Sequence, residues 1–418
     1  MQYIIFQIVF FCILLYYVFR YNKSGVSRLI LIEWTVSSVC SYVYTFFFLL
    51  GQTHFDFWPV LYFDLCYFIF LFPVLGLKIE QIEVSEKFVN YSVKILTVIG
   101  ILSILPLVEN LIYLVKNYSE QSSSIIEMYQ DKMDVDNTQN LITWLSPLGL
   151  FLHNLIAKFT YPGLIILFVI ATKRVYITPI RLFIICCLFA NTVCYTLNSS
   201  GRGGVAEFVL IALVFFILFR KSIVLQVSRR LKILILLTAF GIVACMVILT
   251  MFRAESVGRE GEEIFFTCGY LGEGSVNFFE DMWYCRASAQ GDYSFSYIKN
   301  LFGFDTFINF LERREYWNYG RVGYDPLRFY TFIGSWFADL RFYTIILVLL
   351  LSILFKRMLN RANGTFNILS LYAIYIYLDI LIMGFSVFPF MNFYSFRQVV
   401  INFLYIYFLY YITKEKYI

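Results

Sequence analysis

Residues 197–221 read LNSSGRGGVAEFVLIALVFFILFRK. Apolar sequence runs up to Tyr195, resumes at Val205 and continues to Phe219, broken only by Glu207. Between the two runs stand Asn198, Ser199, Ser200 and three glycines, Gly201, Gly203 and Gly204, around one arginine, Arg202. An apolar run closed by Arg220 and Lys221 reads as a helix that crosses a bilayer. Glycine lets the backbone turn sharply and lets another group come close to it. The stretch therefore joins two apolar helices through a bare, cationic turn, and what that turn meets is the first functional question.

The same character extends in both directions. Hydrophobic residues make up 60% of the 418, more apolar surface than one soluble core can hide. Apolar runs recur instead, at 2–19, 29–51, 58–76, 92–115, 146–172, 178–197, 204–219, 231–252, 332–355, 366–388 and 397–412. Their lengths suit a bilayer's hydrocarbon core. The expected fold is all-α: a polytopic membrane protein of about eleven transmembrane helices, forming a single integral membrane domain over 1–418. The first run lacks a basic leader and a small-residue cleavage site, so it reads as a retained span and not as a signal peptide.

Basic residues orient the chain. Nineteen of the 33 Lys and Arg fall in alternate connections, including Arg20, Lys78, Arg174, Arg229, Arg357 and Lys414. Positive loops face the cytoplasm, which puts the N-terminus out and the C-terminus in. The net charge of +5 is thus a topology signal and implies no nucleic-acid partner. The opposite face carries two long loops, about 116–145 and 253–331. The second holds eight basic residues against twelve acidic ones, so its arginines are not explained by inside-positive bias.

Within 253–331, Phe295, Ile298, Leu301, Phe302, Phe307, Phe310 and Leu311 cluster near helical spacing. Short interfacial helices at the membrane surface, or helices packed on the bundle, both fit that pattern. The loop also holds Cys268 and Cys285, for which a disulfide and two free thiols both remain open. The chain has only two histidines, His54 and His153, and no CxxC, so no metal site and no cofactor is expected.

Several polar residues stand where charge is expensive. Arg202 precedes a helix whose first N–H groups and positive dipole end favour anions, and its planar fork of donors matches phosphate oxygens. The other reading is a tight turn whose arginine reaches lipid headgroups. Glu207, one turn into that helix, is an acid inside a span and should pair. Glu33, Asp64, Glu109, Lys158, Asp339, Arg341 and Asp379 also lie in or near spans, some of them as structural ion pairs. Arg253 and Arg259 follow the eighth expected span, and Arg397 opens the last, all three on the outer side. Arginines around an outward cavity suit a ligand with two phosphates; headgroup anchoring is the alternative. A second distinctive stretch, from Arg328, reads RFYTFIGSWFADLRFYTIILVLLL.

These pieces, in this order, resemble the bacterial oligosaccharide repeat-unit polymerases, the Wzy proteins of O-antigen and capsule synthesis. The resemblance rests on the turn Ser200-Gly201-Arg202-Gly203-Gly204 opening a middle span. It rests also on Tyr330-Thr331-Phe332, Gly334 and Phe337-Ala338-Asp339 entering a late span after a large outer loop, and on Arg397 near the start of the last span. Leu340-Arg341 stand where such proteins usually carry an aromatic residue and glycine. The resemblance implies a glycosyltransferase of the bacterial cytoplasmic (inner) membrane that joins undecaprenyl-pyrophosphate-linked oligosaccharides on its outer face. Membrane lipid, a chain-length regulator and a flippase of the same pathway are the implied partners.

On that expectation Arg202, Glu207, Arg253 and Arg397 carry the chemistry. Gly201, Gly203, Gly204, Arg259, Glu273, Tyr330 and Asp339 contact substrate. Glu207, Glu255 and Glu273 are candidate bases, and Tyr270, Trp283, Tyr284, Trp317 and Tyr319 candidate stacking platforms for sugar rings. Four rival readings remain, one of them a transporter or receptor with no chemistry. An O-antigen ligase would typically carry a histidine in the large outer loop, and this loop has none. A multi-span lipid-phosphate-sugar glycosyltransferase would use an acid in the first outer loop, where Asp56 stands. A lipid-linked oligosaccharide flippase would show paired halves and short loops.

Overall fold

The computed structural model describes residues 2–21, 23–47, 49, 55–119, 144–173, 177–198, 202–223, 263–285, 287–306, 328, 330–386, 388–390 and 393–413, without the side chains of 117–119, 202–203 and 263–266. In chain order its helices are α1 (Gln2–Arg20), α2 (Gly25–Phe47), α3 (Phe57–Leu71), α4 (Glu86–Leu102) and α5 (Ile104–Ser119). There follow α6 (Pro147–Ile156), α7 (Thr160–Thr172), α8 (Pro179–Asn198), α9 (Arg202–Phe219) and α10 (Glu263–Asn277). The last are α11 (Ser296–Leu301), α12 (Phe332–Leu340), α13 (Thr344–Ala362), α14 (Ile368–Met383) and α15 (Phe393–Thr413).

Among the described residues, six helical segments are long and apolar enough to cross a membrane, and the bent pair α4–α5 makes a seventh. The protein is a helical, membrane-embedded one. Helices cover the expected spans that fall on described residues; the expected span 231–252 and the loop residues 120–143 lie outside them.

Three expected spans are broken, each for a local reason. The run 92–115 is two helices that meet at 44°. Pro106 has no N–H to give and its ring disfavours a helical carbonyl four residues back, while Ser103 turns its hydroxyl onto Ile99 O at 2.8 Å. The run 146–172 passes through a 3-10 turn, Ala157–Phe159, four residues ahead of the ring of Pro162. The run 332–355 is divided by a 3-10 turn, Arg341–Tyr343, where Arg341 has φ 53°.

The largest departure is in the expected outer loop 253–331. Its stretch CGYLGEGSVNFF is helical: α10 continues into a π-helical turn, Phe278–Met282. The sequence looks loop-like because of Gly269, Gly272 and Gly274. Small residues in a membrane-protein helix instead let backbones approach closely. A methyl at Gly272 would fall on the backbone of Cys40 and Ser41 in α2.

The chain divides into two compact units. Unit 1 comprises 1–79, 264–365 and 373–401. Its core is aromatic, built on Trp34, Phe63, Tyr67, Phe70, Phe332 and Trp336, all at most 2% exposed. Trp34 and Tyr67 lie 4.4 Å apart by ring centroid, and Phe70 stacks on Tyr377 at 4.2 Å. Buried polar tips find carbonyls: Trp34 Nε1 donates to Leu381 O at 2.7 Å and the Tyr377 hydroxyl to Phe70 O at 2.7 Å. Helix α10 is fastened to α2 by Ser37 Oγ donating to Leu271 O (2.7 Å) and Ser41 Oγ to Gly272 O (2.9 Å).

Unit 2 comprises 80–263, 366–372 and 402–418. Here α8 packs on α4, α5 and α9, and α7 packs on α9. Gly100 brings α4 against the α8 backbone at Ile184. Phe168 on α7 and Phe215 and Phe219 on α9 form a stacked apolar cluster.

Candidate functional site

In unit 2 the polar residues gather at the end of α8 that leads into the Arg202 turn. Asn191 and Asn198 of α8 meet Asn110 of α5, all three at most 2% exposed. Asn110 Nδ2 donates to Asn191 Oδ1 at 3.0 Å; Asn110 Oδ1 accepts from Trp144 Nε1 at 2.9 Å and from Asn198 Nδ2 at 3.1 Å. Asn198 Nδ2 also reaches Asn110 O at 2.9 Å. Asn191 Nδ2 meets His153 Nδ1 at 3.3 Å, and the His153 ring stacks on Tyr195 at 3.7 Å. The network holds the last turn of α8 in one place. One of its atoms, Asn198 Oδ1, is buried with no hydrogen-bond partner among the described residues.

Four residues on, Arg202 begins α9. The first N–H groups of a helix have no partner within it and carry its positive dipole end. A methyl at Gly204 would lie 3.1 Å from Thr196 Cγ2, a tight contact to which Thr196 would have to give by a few tenths of an ångström. Gly201 and the side chains of Arg202 and Gly203 lie outside the described structure, as do Arg253, Glu255 and Arg259. Glu207 has its hydrogen-bonding partner in Tyr161 of α7.

In unit 1 the expected residues divide into two groups. Asp339, at the end of α12, is 4% exposed and wholly engaged by its own chain. Its Oδ1 accepts from the N–H of Gly291 (2.9 Å) and Tyr293 (3.0 Å), its Oδ2 from the N–H of Ser294 (2.6 Å). Ser288 Oγ donates to the Asp339 carbonyl, Ala289 N–H to Ala338 O at 2.8 Å, and Ser294 Oγ to Ser335 O at 3.0 Å. Successive N–H groups of a turn make an anion nest, and here the anion is the protein's own. Gly291 has φ 88°, a conformation that favours glycine. Thr331 caps α12, accepting from Gly334 N–H at 3.3 Å, and Tyr330 is fully buried. The stretch 330–339 is therefore a clamp that grips the loop 288–294. A substrate-contacting role for Tyr330 or Asp339 would act through that loop.

The second group lies along α10. Glu273, Asn277, Glu280 and Asp281 follow at helical spacing, so they line one face. Arg328 Nη1 is paired with Asp281 Oδ2 at 2.6 Å. Tyr44 feels the charges of Glu273, Arg328, Glu280 and Asp281, and Tyr330 those of Asp281 and Arg328. Burial pushes the Tyr330 hydroxyl far up, with Asp281 adding to the rise and Arg328 opposing it. Carboxylates, a guanidinium and the half-buried Tyr44 phenol on one patch can accept a hydroxyl proton and hold polar groups of a sugar. Tyr44, Glu280, Asp281 and Arg328 were not among the expected site residues. Their signal was the i, i+4, i+7 and i+8 spacing of Glu273, Asn277, Glu280 and Asp281, concealed by reading the glycines as loop.

Arg397 is exposed, its guanidinium 5.0 Å from the Tyr394 ring centroid, and belongs to unit 1. Glu109 accepts from Ser146 Oγ at 2.6 Å and Ser146 N at 3.2 Å where α6 begins. Asp64 accepts from Gln7 Nε2 at 3.4 Å. Arg341 donates to Met282 O (3.2 Å) and Trp283 O (3.4 Å), closing the π-helical turn. Trp283 stacks on Phe337 at 5.4 Å; Tyr284 is exposed; Trp317 and Tyr319 lie outside the described residues. Cys268 and Cys285 are free thiols, Cys268 lying against Cys40, and burial pushes the Cys285 thiol up to about 12. Leu301, Phe302 and Phe304, at and after the end of α11, are exposed apolar residues, as a membrane-surface segment requires.

The chain matches no protein-family model, no curated protein and no solved structure.

Proposed function

We propose that this protein is an eleven-span glycosyltransferase of the bacterial cytoplasmic membrane, with its N-terminus outside. In this reading it polymerises undecaprenyl-pyrophosphate-linked oligosaccharide units into a surface polysaccharide. The observation that carries the reading is the start of α9 at Arg202. A helix N-terminus in a stretch whose sequence also supplies glycines and an arginine favours a phosphate.

The reaction breaks the bond from the donor sugar's C1 to the pyrophosphate oxygen and forms a bond from C1 to an acceptor hydroxyl oxygen. Negative charge grows on the departing lipid pyrophosphate. Arg202 and the N–H groups of α9 stabilise that charge, and Arg253 serves the second phosphate. Fixed donors aimed at developing charge lower a barrier more than they tighten ground-state binding. The acceptor hydroxyl gives its proton to a carboxylate. Glu207, Glu255 and Glu273 are the candidate bases, and Glu207 stands nearest Arg202 in sequence.

The test is made in cells of the source strain with Arg202→Ala and Arg202→Lys, reading surface polysaccharide length on a gel. Long chains fall by about a hundredfold in both variants, and single repeat units accumulate at normal protein level. Long chains persisting in both would overturn the assignment of Arg202. Loss of single units from the outer face would replace polymerisation by flipping.

A further inference from the structure

Outside these sites, unit 1 carries a groove between α3 and α13. Its walls are Phe68, Ile69, Phe72, Leu349 and Ile353, and its volume is about 360 Å³. The helices are tied at its floor by Ser352 Oγ, which donates to Ile69 O at 2.8 Å. Phe72 is 52% exposed and Leu349 46%, so the groove opens outward from its walls. Both helices belong to segments long and apolar enough to cross a membrane, and the medium around the apolar part of such a segment is lipid.

One end of the groove is cationic. Lys356 and Arg357 line it one turn beyond Ile353. The Lys356 ammonium sits 5.9 Å from the Phe72 ring centroid and about 4 Å from where a methyl on Gly76 would be. Gly76 thus leaves the ammonium room, and the aromatic face holds it near the groove mouth. Neither cation is in an ion pair with a carboxylate among the described residues. An apolar channel ending in two uncompensated cations is complementary to one amphiphile: an acyl chain that ends in an anionic headgroup.

The geometry points to a binding site for an anionic glycerophospholipid, its acyl chain between α3 and α13 and its phosphate on Lys356 and Arg357. Basic pockets beside transmembrane helices recognise such headgroups through charge, with the chain supplying apolar contact. The site is independent of the proposed glycosyl transfer, and its readout is bound lipid, not polymer.

The experiment is native mass spectrometry of the purified full-length protein, exchanged into mixed micelles of phosphatidylglycerol and phosphatidylcholine with matched acyl chains. Wild type retains phosphatidylglycerol about tenfold over phosphatidylcholine. K356Q/R357Q loses that preference and keeps weak binding of both lipids, while I353W, which fills the channel, loses both. R361Q, one turn further along α13, keeps the wild-type preference. Size-exclusion elution matching wild type shows that each variant is folded. Equal retention of the two lipids by wild type, a K356Q/R357Q preference within twofold of wild type, or the same loss in R361Q would overturn the site.

Discussion

The clamp at Asp339 and the turn at Arg202 use the same ingredients in opposite ways. Both present several backbone N–H groups beside a glycine, and such groups attract an anion. At Asp339 the anion is covalently part of the chain: one carboxylate takes the N–H groups of Gly291, Tyr293 and Ser294. At the start of α9 the neighbouring residues are amides, which satisfy one another, and Asn198 Oδ1 is left over. The first is closed and holds a loop. The second has no carboxylate in its amide network, whose one unused atom is an acceptor; the donors that the proposed phosphate uses are the first N–H groups of α9 alone. Of two motifs that look equally functional in sequence, the one at Asp339 is scaffold, because the chain itself supplies the negative charge.

That contrast is most easily broken at Asp339. Asp339→Ala leaves three N–H groups without an acceptor, those of Tyr293 and Ser294 buried and that of Gly291 half-buried, each buried one costing about 1–3 kcal/mol. The thermal midpoint in detergent falls sharply, and limited proteolysis cuts near 285–306. Wild-type stability would mean the clamp does not hold the loop. Next comes Gly272→Leu, which drives a side chain into the α2 backbone and costs about 1–3 kcal/mol by overpacking; a tolerated leucine would detach α10 from α2. Asn110→Ala removes the hub of the amide network, for a loss of about 1–3 kcal/mol. If polymer length drops more than the loss of folded protein explains, the network positions the α9 turn; if the two fall together, it only stabilises. The smallest effect is expected at the pair Arg328–Asp281, whose side chains are 54% and 32% exposed. Arg328→Gln changes stability by less than about 1 kcal/mol. A larger loss would make this patch, like Asp339, part of the scaffold.

Much of the fold is legible in the sequence because the membrane imposes it. Without water, backbone groups must be bonded within a helix, so apolar length alone locates the helices. That reasoning places α1, α2, α8 and α9 within a few residues. It misjudges the breaks at Ser103, Lys158 and Arg341, where one proline or one unusual φ interrupts an apolar run that a hydropathy reading sees as continuous. It also misjudges α10, whose glycines signal a turn when read locally and a helix contact when read against α2.

The candidate sites follow the same division. The sequence by itself determined a helical membrane chain, the glycine turn before α9, and the residues of the two motifs, because these depend on composition and local spacing. Only the tertiary structure decided which polar groups are already spoken for. Asp339 is closed by a loop about 45 residues earlier, and Asn198 is bonded to a residue 88 positions away. Hydrogen bonds between distant segments obey no periodicity, so no pattern along the chain records them. They form only where packing brings the segments together, and there they separate a residue that holds the protein from one that is free to hold something else.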